Sequence, residues 1–201
     1  MEKPHTFVSE LRTTLGLSVP IVAGFVGQMV LGLTDTLMIG RVGVVPLAAS
    51  AFVNSLIQFF IIFGIGILTS VSVLVSHAHG AGDGDEVGKV VQRGIFIAVF
   101  FGAMIVAGSL LLLPLLPFFG QDPEAVSVSR NYLVIIACSM PLALIVIAVK
   151  AYSEAINKPW PLFWVGAVGI IVNIVLNWIL IYGNLGFPQL GLDGAGYATW
   201  I

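Results

Sequence analysis

LSVPIVAGFVGQMVLGLTDTLMIGRVG, residues 17–43, is an apolar run long enough to cross a bilayer, and it carries a carboxylate, Asp35, near one end. Taking an ionised Asp to the middle of a hydrocarbon layer costs about 2.5–3.5 kcal/mol on insertion scales. The cheaper states protonate it, pair it with a cation, or turn it towards polar groups of neighbouring helices. Each of these makes Asp35 a candidate proton or ion site.

Outward from this run the composition is uniform. Of 201 residues, 58% are hydrophobic and 9% charged, where a soluble domain carries about 25% charged residues. The apolar residues fall in several runs of spanning length without the two-residue alternation of a membrane barrel, so the class is all-α, a polytopic transmembrane helical bundle. A net charge of −2 argues for no nucleic-acid partner. Cys138 is the single cysteine, which excludes an internal disulfide, and it reads as a small core residue.

Five runs reach spanning length: Leu17 to Ile39, Leu47 to Val75, Gly94 to Phe119, Tyr132 to Val149, and Trp160 to Tyr182. A sixth begins near Leu190 and reaches Ile201, which covers only about 18 Å of a roughly 30 Å hydrocarbon core. The expected organisation is one transmembrane lobe over residues 1–201 with its sixth helix incomplete, a fragment of a longer protein. The polar lead from Met1 to Leu15 opens a start helix rather than a cleaved signal peptide.

Basic residues set the orientation. With the N-terminus inside, Lys3, Arg12, Lys89, Arg93, Lys150 and Lys158 fall on the cytoplasmic side and only Arg41 and Arg130 outside. The stretch Ser76 to Arg93, with Asp83, Asp85 and Glu86, is then expected as an internal loop whose acids face water. Pro141 should kink the fourth run, Gly64 and Gly66 interrupt the second, and Pro114 and Pro117 crowd the end of the third. The small-residue pairs Gly24 with Gly27, Ala103 with Ala107 and Gly166 with Gly169 argue for tight helix packing.

This orientation sorts the polar residues by height. Asp35 lies about four residues, or roughly 6 Å, below the outer end of the first run. The fifth run has the same direction, so Asn177 and, one turn deeper, Asn173 sit in the outer half. Asn54, Ser55, Asn131, Tyr132 and Thr199 come to that half from the second, fourth and sixth runs. Gln28, Leu31 and Asp35 share a helix face, as do Gly166, Gly169 or Ile170, Asn173 and Asn177. An unsatisfied amide in hydrocarbon costs several kcal/mol, so the simplest joint solution is a hydrogen-bonded cluster around Asp35.

Other motifs carry less. Gly191, Gly194 and Gly196 lack the strand and spacing of a nucleotide fingerprint and are expected as a flexible outer lead into the sixth helix. His77 and His79 have no third ligand nearby. Lys150 and Glu154 read as an i,i+4 surface ion pair. An intramembrane aspartyl protease needs two carboxylates at one level, whereas Asp35 stands alone within the spans. No enzyme is expected.

Pro20, Gln28, the segment Asp35-Thr36-Leu37-Met38-Ile39-Gly40-Arg41-Val42-Gly43, His79-Gly80-Ala81-Gly82-Asp83, Tyr132-Leu133, Asn173-Ile174-Val175-Leu176-Asn177, Tyr182-Gly183 and Gly194-Ala195-Gly196-Tyr197-Ala198-Thr199 follow in this order. Together they resemble the bacterial branch of the multidrug and toxic compound extrusion (MATE) transporters. The resemblance implies a twelve-helix antiporter of two six-helix lobes, of which this chain would be the N-terminal lobe without its C-terminal partner lobe. It implies export of cationic, amphipathic small molecules across the bacterial inner membrane, driven by protons or sodium, with no cofactor beyond that coupling ion. It further implies a cation site at Asp35, Tyr132, Asn173, Asn177 and Thr199, with Gln28 and Asn54 towards the substrate cavity. Some relatives carry Asp where Asn177 stands, which leaves proton against sodium open. A lipid-linked saccharide flippase would call for several cationic residues in the cavity, and a membrane scaffold fragment would transport nothing.

Overall fold

A computed structural model describes residues 7–200. Lys3 and Ile201 lie outside the described residues, as does the side chain of Arg12. The elements are α1 (Phe7–Gly40), α2 (Val44–Gly80), α3 (Gly84–Leu112), α4 (Pro123–Ala155), α5 (Trp160–Tyr182) and α6 (Leu192–Trp200), with short 3-10 turns at Leu113–Phe119 and Asn184–Gly186. Among the described residues, five helical stretches are long and apolar enough to cross a membrane, while α6 has nine residues. The chain is a multi-pass membrane protein.

α4 is the hub. Its buried residues recur at three- and four-residue spacing (Ala125, Ser129, Leu133, Ile136, Met140, Leu144, Ala148), and α2, α3 and α6 pack against it. α1 stands apart from this hub and docks mainly on α5, with Met29, Leu33 and Leu37 facing outward. Apolar side chains so disposed suit a lipid solvent, in which an exposed Leu costs nothing.

The connection expected over Ser76 to Arg93 is much shorter: α2 runs to Gly80, α3 starts at Gly84, and only Ala81–Asp83 intervene. The acids explain the early start of α3. Asp83 Oδ1 accepts from the Glu86 amide at 2.9 Å, and Glu86 pairs with Lys89 at 3.7 Å and Arg93 at 3.3 Å. Carboxylates at a helix N-terminus satisfy orphan amides and favour the dipole, so this polar turn is helix rather than loop.

Proline decides two further features. Pro114 and Pro117 turn the end of α3 into the 3-10 segment, since neither has an N–H for the α-helical ladder. Pro141 stays inside α4, and its backbone is where α3 comes closest: a Cβ on Gly102 would collide with the Cα of Pro141. Gly102 is what allows that approach. The α3 face against α4 is therefore Ala98, Gly102, Ile105 and Ser109, whereas Ala103 and Ala107 point outward.

Three other expectations are corrected. Cys138 is exposed rather than part of the core, because the buried stripe of α4 passes through Ala137 and Met140 on either side of it. Gly191, Gly194 and Gly196 are not a flexible lead. Gly194 and Gly196 are buried in α6, and a Cβ on Gly194 would lie 2.6 Å from the Leu180 carbonyl oxygen. The loop before them is laced to α5 by Leu190 N–H to Leu180 C=O at 2.9 Å and Gly191 N–H to Ile181 C=O at 3.3 Å. Finally, of the glycine pairs only Gly27 makes a close interhelical approach, to Ile170, while Gly24, Gly166 and Gly169 have open space beside them. They border a cavity.

Candidate functional site: a carboxylate and amide relay beside a cavity

α1 and α5 run parallel and in register, and three polar links show it. Trp160 Nε1 donates to the Gly16 carbonyl at 3.1 Å, Asn177 Nδ2 to Asp35 Oδ1 at 2.6 Å, and the Tyr182 hydroxyl to the Met38 carbonyl at 2.9 Å. The sequence separations are 144, 142 and 144 residues, a nearly constant offset that antiparallel helices could not keep. Tyr182 takes a carbonyl that helix termination leaves over: past it the chain tightens, with Val42 N–H bonding Ile39 C=O at 2.9 Å.

Between the end links lies the relay. Asn177 is fully buried and its Nδ2 donates twice, to Asp35 and to Asn173 Oδ1 at 2.9 Å. Asn173 Nδ2 in turn donates to the Ala198 carbonyl of α6 at 3.0 Å. The i,i+4 spacing of the two asparagines places both on the α5 face that meets α1 and α6. Asn177 Oδ1, by contrast, is buried and has no partner. Such an orphaned acceptor beside a carboxylate is uncommon. Among the described residues, no positive group meets the negative potential and free lone pairs of this pair.

The remaining predicted residues divide. Tyr132 is buried on α4, in the neighbourhood of Asp35 and of the Asn54 side chain from α2. Thr199 is exposed, and its hydroxyl bonds back to the Ala195 carbonyl at 2.9 Å rather than to the relay. Ser55 likewise bonds within its own helix, to Ala51. Gln28 faces a cavity of about 830 Å³ bounded by α1, α4, α5 and α6, which Asn173, Ala198 and Thr199 also line. Asn54 lies away from that lining. The Asn173–Ala198 step thus joins the carboxylate site to the cavity wall.

Sequence reading passed over the Ala198 carbonyl and Asp193, and placed Lys150 and Glu154 on the surface. The Ala198 carbonyl is a backbone group and leaves no mark in residue types. Asp193, in the first turn of α6, lies near the Asn131 side chain of α4; a carboxylate one helical turn from an apolar segment was the available signal. Lys150 and Glu154 are 4.0 Å apart, but they line the cavity rather than an outer surface. Lys150 Nζ also sits 4.3 Å from the Phe25 ring centroid. Among the described residues no cluster of three or more His, Cys, Asp or Glu is placed to hold a metal ion, and His77 and His79 are exposed at the end of α2.

The multi-pass helical bundle thus carries a half-buried carboxylate and a buried amide relay beside a cavity, within its membrane-length helices. The MatE family model matches residues 20–179, and the chain belongs to that family. It is 35% identical over 190 residues to the probable multidrug resistance protein NorM of Bradyrhizobium diazoefficiens, covering 94% of this chain and 41% of that protein. Against the multidrug resistance protein NorM of Photobacterium profundum the identity is 30% over 197 residues, 98% of this chain and 43% of the relative. The chain thus spans less than half the length of these curated relatives. A MOP superfamily transporter from Pyrococcus furiosus superposes with a TM-score of 0.84 at 23% identity, over 99% of this chain and 44% of that one. An outward-facing multidrug resistance MATE family transporter superposes with a TM-score of 0.81. At such identities these two structures speak to the fold.

Proposed function

We propose that the chain is the N-terminal lobe of a cation-coupled exporter of amphipathic, cationic small molecules, seated in the bacterial inner membrane with its N-terminus in the cytoplasm. One observation carries the reading: the buried Asn177 Oδ1, with no partner, beside the Asp35 carboxylate. A proton or sodium ion arriving at Asp35 supplies the positive partner that this pair lacks. Neutralising Asp35 weakens its charge-assisted bond to Asn177 Nδ2. The change passes through Asn173 to the Ala198 carbonyl in the cavity wall. The coupling ion and the transported molecule then share one hydrogen-bonded structure without sharing a site.

The cavity supports the substrate class. Its lining is mostly apolar, with Gln28, Asn173 and Thr199 at one side and Lys150 with Glu154 at another. Among the described residues that line it, Lys150 is the one Lys or Arg, and Glu154 stands beside it. That is poor recognition for a lipid-linked phosphate, which several cationic groups would serve better. The NorM names of the relatives support the drug-export reading in the same direction.

The test is export of a fluorescent amphipathic cation such as ethidium from cells carrying Asp35→Asn. The amide keeps an acceptor for Asn177 but cannot change charge, so the protein should reach the membrane and export should fall to background. Undiminished export would remove Asp35 from the mechanism.

A further inference from the structure

Pro20 is buried inside α1, and it has no N–H to offer the carbonyl of Gly16 one turn earlier. In a bilayer such a carbonyl must be satisfied from elsewhere. The Trp160 indole N–H reaches that same carbonyl, at 3.1 Å, across 144 residues of sequence. We propose that Trp160 is a positioning residue: it takes over the hydrogen bond that Pro20 withholds, and so docks the arm of α1 before Pro20 onto the start of α5.

The surroundings of Trp160 fit this task. It is the first residue of α5 and is flanked by Pro159 and Pro161, which fix the backbone on either side. Its ring packs edge-on against Phe163, with centroids 5.7 Å apart at 84°, so the indole is held in orientation. Pro20, Pro159 and Phe163 all line the cavity at this end. The docked arm thus adjoins this end of the cavity without lining it. Gly16 itself is exposed and crowded by nothing, so no side-chain packing at that position would hold the arm instead.

The experiment measures the arm directly and does not depend on transport. Nitroxide labels replace Leu15 and Val168, both exposed, after the single exposed cysteine is removed by Cys138→Ser. Distances are read by pulsed electron resonance on the full chain in lipid nanodiscs. Trp160→Phe keeps the aromatic contact and deletes the donor; the ratio of docked to undocked arm should fall about fivefold, the worth of one net hydrogen bond. In a Pro20→Ala background, where position 20 regains an N–H, Trp160→Phe should leave the distribution unchanged. An unaltered distribution in Trp160→Phe alone, or an equal effect in both backgrounds, would overturn the proposal in favour of plain packing. Should a variant fail to fold, hydrogen exchange in the unsubstituted chain decides. The Trp160 indole proton should exchange several times more slowly than that of Trp164, which is 61% exposed, and equal exchange rates would overturn the assignment.

Discussion

Asn177 has two donors and one acceptor to place in a site where water is scarce, and it places only the donors. Replacing it by Ala strips Asp35 Oδ1 and Asn173 Oδ1 of a partner together, which should cost about 1–3 kcal/mol, moderated by any new partner the helices find. Asn173→Ala also removes two bonds, the one it accepts from Asn177 and the one it donates to Ala198, but it leaves the charge-assisted Asn177 bond to Asp35, so its cost should be the smaller. Titration of the purified protein with a denaturing detergent would rank the two; equal losses would show that the bond to Asp35 is worth no more than the link to Ala198. Much of this was legible beforehand. An ionisable residue in a membrane-length run, and amides at i,i+4 on another, announce themselves by cost alone. What residue types do not carry is direction: that Asn177 donates twice, that Thr199 turns back to its own helix, and that Ala198 takes part through its backbone.

At the level of the elements, α5 serves as the spine to which α1 is fastened once at Gly16 and twice towards its other end, at Asp35 and Met38, over about 33 Å of helix. Two of the three fastenings use carbonyls that α1 cannot satisfy itself, one at Pro20 and one at its last turn. α3 and α4 meet differently, by the approach of backbones at Gly102 and Pro141. Gly102→Val should therefore force these helices apart and cost about 1–3 kcal/mol, whereas Gly108→Val, with open space around its Cβ, should be tolerated. Comparing the thermal midpoints of the two variants checks this, and equal midpoints would contradict the assigned contact. Sequence could count these helices but not orient them. The outward turn of Cys138 and of Ala103 and Ala107 follows from which stripe of each helix is buried, and in lipid a small or apolar residue suits either side.

For the molecule as a whole, α1 and α5 are fastened by polar links and packed closely where Gly27 meets Ile170, while the absent side chains of Gly24, Gly166 and Gly169 leave open space beside them. That space is part of a cavity of about 830 Å³ bounded by α1, α4, α5 and α6. Asn173 and Ala198 of the relay line it on one side, and Pro20, Pro159 and Phe163 line it at the end beside Trp160. Gly166→Trp tests whether the space itself is the working part. A Cβ at Gly166 meets nothing within 4 Å, so the substitution should leave the fold and the Asp35 to Asn177 bond intact while the indole occupies the cavity. Binding of an amphipathic cation, followed by the fluorescence polarisation of ethidium on the purified protein, should weaken about tenfold, which corresponds to ~1.4 kcal/mol. Its thermal midpoint should move little. Unchanged affinity with an unchanged midpoint would place the ligand elsewhere and separate the cavity from the ion site, while leaving the hydrogen-bonded relay as it stands.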